Sequence, residues 1–224
     1  MPRQFAIADI HGCCRTFREL IFKRITLTRD DVLYLLGDYI DRGPDSKGVL
    51  DTIIELQNTG YKIHPILGNH EYMLLTALYL WGMSDWLEYG GRETLQSYAI
   101  EHAEEMPTGH IEFLQKLPDH HVADTHVLVH AGLNFSLDDP LKDTSQEFKL
   151  WDRHCREAFP NKIGDRKLVV GHTIRHLDEI KRSLKKDCVS LDNGCFIGND
   201  SEGKGNLVAF ELESGKLFIQ KNIE

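Results

Sequence analysis

An α/β fold, with sheets flanked by helices, is what this sequence predicts. Three observations predict it. Apolar runs of strand length alternate with helical-period stretches through the first third of the chain. Runs of strand length return through the second half. One strand after another ends in a short polar cluster, which is where open α/β sheets place their ligands.

Taken in order, residues 4–8, 32–36 and 62–67 read as the first three strands. Between the first two, residues 13–24 set Phe17, Leu20, Ile21 and Arg24 at helical spacing. Between the next two, residues 46–58 do the same with Val49, Leu50, Ile53, Ile54 and Leu56, and Gly60 supplies a stop. Asp9 lies 29 residues before Asp38, and Asp38 lies 31 before Asn69, about one βαβ crossover each time. The three strands should therefore run parallel, with their polar clusters at one end. From Glu71 the pattern turns helical, with Met73, Leu74, Leu75, Ala77 and Leu78 followed by helical stretches at 91–102 and 109–116. A helical flank at about 71–116 follows from this. Strands return at 121–123, 127–129, 168–170, 189–191, 207–211 and 216–220, the last two forming a hairpin through Leu212-Glu213-Ser214-Gly215. Residues 192–206, rich in Gly, Asn, Ser and Asp, read as a loop.

At 224 residues and 41% hydrophobic content, a single domain over residues 1–224 with one sizeable core is expected. The net charge of −9 excludes a general nucleic-acid binder, which carries a basic face. No run approaches the roughly 18 apolar residues of a membrane span, so no membrane partner is expected. Met1-Pro2-Arg3-Gln4 leads straight into a strand without a visible signal peptide. The five cysteines are scattered, with no C-x-x-C spacing. That pattern suits reduced thiols and a cytoplasmic location.

Five clusters carry the chemistry: Asp9-Ile10-His11-Gly12, Gly37-Asp38-Tyr39-Ile40-Asp41-Arg42-Gly43, Gly68-Asn69-His70-Glu71, His130-Ala131-Gly132 and Gly171-His172-Thr173. Carboxylate and amide oxygens mixed with neutral imidazoles suit hard or borderline divalent ions acting on phosphate. Asp9 and His11 stand two apart at a strand end and can face one ion. Asp38 can bridge two ions with its two oxygens, while Asn69, His130 and His172 offer further ligand atoms. Two metals about 3.5–4 Å apart can hold a hydroxide between them and clamp phosphate oxygens. Two dications set against Asp9, Asp38 and that hydroxide leave about one positive charge to meet a dianionic phosphate. His70 is placed to protonate a leaving group, with Asp41 fixing its tautomer. Arg42 can grip phosphate with its fork, and Arg153, in Leu150-Trp151-Asp152-Arg153, is the second phosphate arginine.

The first three clusters resemble the signature motifs of the phosphoprotein phosphatase family within the calcineurin-like metallophosphoesterases, in the bacterial and phage branch typified by lambda phosphatase. Gly90-Gly91-x-x-Thr94-Leu95-x-Ser97-Tyr98 is similar to a stretch common in the bacterial members. The resemblance implies a sandwich of mixed sheets in α/β/β/α layers. It implies that one ion takes Asp9, His11 and Asp38, and the other Asp38, Asn69, His130 and His172. His70 and Asp41 would form the acid pair, with Arg42 and Arg153 on the phosphate. The implied cofactors are two divalent ions, manganese first, with iron or zinc as the other candidates. Ala8 and Ala131 stand where that family has glycine, and neither supplies a ligand.

Rival phosphatase chemistries are absent on paper. No cysteine is followed six residues later by arginine, no Asp-x-Asp occurs, and there is no G-x-x-x-x-G-K-[ST] loop. His64, His102, His110, His120, His121, His126, His154 and His176 have no motif context and read as surface or packing residues. Cys13 and Cys14 read as packing at a helix start, with an oxidation-sensitive thiol near the metals as the sharper alternative. Trp81, Trp86, Tyr89, Tyr98 and Phe113 in the helical flank read as core at helical spacing, with base stacking as the alternative. No cluster of Lys or Arg stands there to hold a polyphosphate chain beyond Arg92. The expected function is therefore metal-dependent hydrolysis of phosphate monoesters on serine and threonine, with phosphoprotein or phosphopeptide as substrate. A symmetrical dinucleoside tetraphosphate hydrolase is the alternative enzyme. A non-catalytic scaffold of the same fold is the alternative from another class, disfavoured by a complete ligand set.

Overall fold

The computed structural model describes residues 2–153, 159–198 and 202–224. His154, expected as a surface or packing residue, lies outside them. Among the described residues, nine strands form two mixed sheets. The first contains β1 (Gln4–Ile7), β2 (Val32–Leu35), β3 (Lys62–Pro65), β8 (Asn206–Glu211) and β9 (Leu217–Lys221), in the order β3-β2-β1-β8-β9. The second orders β4 (His120–Val122), β5 (His126–Val129), β6 (Lys167–Val170) and β7 (Cys188–Ser190) in sequence. β1, β2 and β3 run parallel to one another, as do β5, β6 and β7, while β4, β8 and β9 add antiparallel edges.

The period-2 alternation of β1 sorts its side chains between two cores. Phe5 and Ile7 point to the helices, where they join Phe17, Leu20, Val49, Leu50 and Ile53. Ala6 and Ala8 point the other way, into the layer between the sheets, with Leu128, Val169, Val189, Val208 and Phe210. β8 splits in the same sense, Leu207 and Ala209 to the helices, Val208 and Phe210 between the sheets. The outer face of the second sheet, with Val127, Val129, Leu168 and Val170, is covered by Leu133, Phe135 and Ile163. This is the expected α/β architecture of two mixed sheets flanked by helices.

Each expected strand is present, shifted by a residue or so. The helix Ser46–Asn58 forms as expected, and the Asp45 carboxylate caps it by accepting the Gly48 N–H at 2.8 Å. The next helix, Asn69–Tyr79, starts on the third polar cluster itself. The stretch expected as helix at 91–102 is shorter, Arg92–Tyr98, because Ala99 turns left-handed with φ of 53°. Three short helices, Pro140–Asp143, Gln146–Trp151 and Leu177–Ser183, fall where no element was expected. They are too short for a period to stand out. The expected loop at 192–206 holds a turn at Cys195–Ile197.

Asp9, Asp38, Asn69, His130 and His172 all follow the C-terminal ends of parallel strands, so both sheets deliver their polar clusters to one edge. The strand end carrying His130 is tied down from outside. The next residue, Ala131, donates its N–H to the Lys149 carbonyl at 2.8 Å. Lys149 is buried, with its ammonium on the Asp119 carboxylate at 2.9 Å and on the Leu141 carbonyl at 3.3 Å. His120 and Lys149 together hold the Asp119 carboxyl down at about 2.

Replacing Asp119 by Asn should lower unfolding stability by about 1–3 kcal/mol, because the buried Lys149 keeps its charge and loses its counter-ion. A carboxyl held below its ordinary value stabilises the fold above that value and loses the effect as the group protonates. The gap between wild type and Asp119→Asn should therefore be full above about pH 4 and close as the pH falls toward 2. Denaturant melts across that range measure it, and a gap that widens on acidification would contradict this account.

Candidate metal centre

The second cluster is shaped by the third. The Glu71 side chain, fully buried, accepts four backbone N–H groups: Asp38 at 2.9 Å, Tyr39 at 2.8 Å, Ile40 at 3.2 Å and Gly68 at 3.1 Å. The Asp38 carbonyl then accepts the N–H groups of Ile10 and His11 at 3.0 and 2.8 Å, and the Tyr39 carbonyl accepts that of Gly12 at 2.9 Å. Three clusters from three strands are thus stitched through one carboxylate. Packing is tight enough that a Cβ on Gly43 would run into the His11 carbonyl oxygen.

The backbone is strained where the functional side chains sit. His11, Asp38, Asp41, Arg42 and His172 have φ of 46°, 52°, 72°, 68° and 63°, a left-handed region that non-glycine residues rarely adopt. Each such residue costs of order 1–3 kcal/mol and persists only where its surroundings over-determine it.

Asp38 is central. Its Oδ2 lies 3.5 Å from both His11 Nε2 and His130 Nε2, and its Oδ1 accepts the His70 N–H at 3.1 Å. His11 Nδ1 donates to the Ile40 carbonyl at 2.9 Å, and His130 Nδ1 donates to the Leu36 carbonyl at 2.7 Å. A carbonyl can only accept, so both rings carry the proton on Nδ1 and aim an Nε2 lone pair inward. Burial pushes His11 down to about 3 and His130 well below its ordinary range, and burial with Arg153 and Arg42 nearby brings His172 to about 4. All three are neutral imidazoles, the form that ligates metals.

The donor set fits a cation. The His130 Nε2 lone pair faces Asn69 Oδ1 at 2.8 Å and His172 Nδ1 at 3.2 Å. Two acceptors at 2.8 Å repel unless a positive ion reconciles them. Among the described residues, two groups bring ligand atoms within 4.8 Å of one another: His11, Asp38 and His70, and Asp38, His130 and His172. They share Asp38, as a bridging ligand would.

The first group differs from the expected trio of Asp9, His11 and Asp38, with His70 where Asp9 was expected. Asp9 is buried, and both its carboxylate oxygens take the His172 backbone N–H at 3.0 Å. Burial, with Asp192 and Asp38 nearby, pushes its carboxyl well up. The His11 lone pair instead takes an N–H of Arg42 at 3.0 Å.

His70 and Asp41, expected as the acid pair, meet directly. His70 Nδ1 donates to Asp41 Oδ2 at 2.7 Å, leaving Nε2 toward His11 and Asp38. Burial pushes the Asp41 carboxyl up, and three donors favour its charged form against that push: His70, Thr94 Oγ1 at 2.6 Å and Trp86 Nε1 at 3.0 Å. Trp86 and Thr94 come from the helical flank, and neither was assigned a role in the sequence. The Gly90-Gly91-x-x-Thr94 stretch was the available signal.

A cavity of about 310 Å³ opens beside these groups, lined by Asp38, Arg42, Asn69, Arg153, His172, Thr173, Ile174 and Phe196. Both expected phosphate arginines therefore reach one space. The Arg42 guanidinium lies 4.7 Å over the Phe196 ring, which also meets the His11 ring edge-on at 5.0 Å. Phe196 and Asp192 were not foreseen. Asp192 follows β7 as Asp9 follows β1, in a Val-Ser-Leu-Asp-Asn-Gly run that repeats the strand–carboxylate–glycine pattern, and burial pushes it up to about 6. Cys13 and Cys14 are buried packing residues, and burial raises the Cys14 thiol to about 11.

A family signature described as calcineurin-like phosphoesterase matches residues 3–193. The chain belongs to the calcineurin-like phosphoesterase family. It resembles the symmetrical bis(5'-nucleosyl)-tetraphosphatase of Nitrosospira multiformis, 29% identical over 168 residues, which cover 70% of this chain and 56% of that protein. The protein of the same name from Nitrosomonas europaea is 37% identical over 137 residues, covering 60% and 47%. This phosphoesterase thus spans about half the length of these curated relatives. A crystal structure provisionally described as a diadenosine tetraphosphatase matches with a TM-score of 0.70 at 22% identity, over 100% of this chain and 97% of that one. That likeness shows the fold. The broad family expected from the motifs is shown, and the lambda-phosphatase branch is not what these relatives carry in their names. No helix among the described residues is long and apolar enough to cross a membrane.

Glu71→Gln should cost about 3–5 kcal/mol, since four buried N–H groups would share one amide oxygen and meet an NH₂. Thermal unfolding measures it. A loss under about 1 kcal/mol would show that the cluster holds its shape without this carboxylate.

Proposed function

We propose that this calcineurin-like phosphoesterase hydrolyses dinucleoside tetraphosphates symmetrically, giving two nucleoside diphosphates. The observation that carries the reading is the convergence of Arg42 and Arg153 on one cavity beside Asp38, Asn69 and His172. Two guanidinium forks there can hold consecutive phosphates. The names of the aligned relatives support the same substrate. The helical flank holds no cluster of Lys or Arg beyond Arg92, which had pointed toward a phosphoprotein. The cations that matter come from the second cluster and from Arg153, beyond that flank.

His11, Asp38, Asn69, His130 and His172 would hold two divalent ions, manganese first among them, with Asp9 in reserve beside His172. Those ions, when bound, supply Lewis acidity toward phosphate oxygens and acidify the attacking water. The chain's own residues do the rest. Arg42 and Arg153 orient the phosphates, and His70, once protonated on both ring nitrogens with Asp41 stabilising the imidazolium through Nδ1, would give the Nε2 proton to the departing oxygen. A second reading, hydrolysis of phosphoserine and phosphothreonine, draws on that same pair. A departing alkoxide needs a proton far more than a departing diphosphate does. Complete pairing of the Asp41 carboxylate with His70, Thr94 and Trp86 also weighs against a scaffold without catalysis.

Incubation of diadenosine tetraphosphate with the Mn²⁺-loaded protein should yield ADP alone. Its kcat/KM should exceed that for phosphothreonine peptides by about a hundredfold, a difference of some 2.7 kcal/mol in transition-state binding. Chelation should abolish turnover, and Asp38→Asn should lose metal and activity together. Turnover surviving verified metal removal would overturn the metal reading. A reversed substrate ratio would promote the phosphoprotein reading.

His70→Asn should keep its metal content yet lose roughly 10²–10⁴ in rate on alkyl phosphates, the usual scale of general-acid catalysis. On diadenosine tetraphosphate and aryl phosphates the loss should be much smaller. Equal losses on all three would remove the acid role from His70.

A further inference from the structure

The helical flank leaves aromatic rings in the open. Trp81 is 74% exposed and Tyr89 58%, while Tyr72 and Trp151 are each 37% exposed. The five flank aromatics expected as core thus divide. Trp86 is fully buried, Tyr98 and Phe113 pack against the core, and Trp81 and Tyr89 do not. Four exposed rings, one of them Trp151 from beyond the flank, gather in one place. Tyr72, Trp81, Tyr89 and Trp151 wall one pocket of about 240 Å³, with Trp86 and Asp85 also in its lining.

That pocket adjoins the candidate metal centre. Its Trp86 donates its indole N–H to Asp41, the partner of His70. Tyr72 stands two residues after His70 on the same helix. The Trp151 ring meets the His172 ring edge-on with centroids 6.2 Å apart, and Arg153 follows two residues later. The pocket therefore lies on the side where a group departing over His70 would go. Its walls offer π faces, and the Asp85 carboxylate offers an acceptor at the rim. A planar heterocycle with an exocyclic amino group has the matching chemistry: a π face for Trp81 or Tyr89 and an N–H donor for Asp85. An aliphatic side chain would use neither.

We propose that this aromatic pocket is a nucleobase subsite, holding a base whose phosphates lie on Arg42 and Arg153. The assignment rests on the tetraphosphate reading for the substrate but is tested apart from it. Calorimetric binding to the Mn²⁺-loaded protein compares ADP with pyrophosphate, which has the same two phosphates and no base. ADP should bind about 5- to 150-fold tighter, the range that base stacking on one aromatic side chain supports. Trp81→Ala should shrink that ratio to about twofold or less, and Tyr79→Ala, an exposed ring outside the pocket, should leave it intact. The ratio is read within each variant, so a change in metal loading cancels. Equal affinity for ADP and pyrophosphate in the wild type, or a ratio that Trp81→Ala does not move, would overturn the subsite. Failure of the tetraphosphate reading shows differently: the base preference would stand while diadenosine tetraphosphate gave no ADP.

Discussion

Everything at the site hangs from the Glu71 carboxylate. It is a negative charge buried at the meeting of two strand ends, and it is satisfied by four peptide N–H groups. Three of those peptides belong to the loop that carries Asp38, Asp41 and Arg42, the fourth is Gly68, and the loop's carbonyls in turn hold the first cluster. A buried carboxylate is costly unless its oxygens are fully engaged. Full engagement here requires one conformation of the loop, so the cost of burial becomes a selector of backbone geometry. The placement of Asp38 then follows from the bond its own N–H makes to a carboxylate outside the candidate ligand set.

Five left-handed non-glycine residues in one small region show what that selection works against. Left-handed φ at these positions is held only because the surroundings over-determine it. The cores beneath, with Phe5, Ile7, Leu33 and Leu35 on one side and Ala6 and Ala8 on the other, supply the rigid strand ends against which the strain is held. Stability in the sheets and strain at their edge are parts of one arrangement.

Much of this was legible in the sequence. Strand runs followed by polar clusters located the nine strands within about a residue, and the spacing of Asp9, Asp38 and Asn69 gave the parallel order. The candidate ligands and the His70–Asp41 pair were visible because each cluster joins several chemically matched residues. Three things were not. Asp192 sits in a run dominated by Gly, Asn and Ser, where a carboxylate reads as a turn residue. Trp86 and Thr94 reach Asp41 from some 45 and 53 residues away, and no local pattern announces a contact of that span. The Asp9 carboxylate was expected beside His11, but its orientation is decided by the His172 amide, which approaches from the other sheet.

The segment from Trp81 to Thr94 serves two masters. It presents exposed rings to the outside, and through Trp86 and Thr94 it grips the carboxylate that orients His70. The Gly90 carbonyl also accepts the Arg42 N–H at 3.2 Å. A segment of this kind is not a detachable specificity loop. Exchanging it for the corresponding piece of another phosphoesterase would change the aromatic pocket and, in the same stroke, loosen the supports of His70 and Arg42. Single substitutions at the exposed rings of Trp81 or Tyr89 would instead reshape the pocket while leaving the Trp86, Thr94 and Gly90 contacts in place.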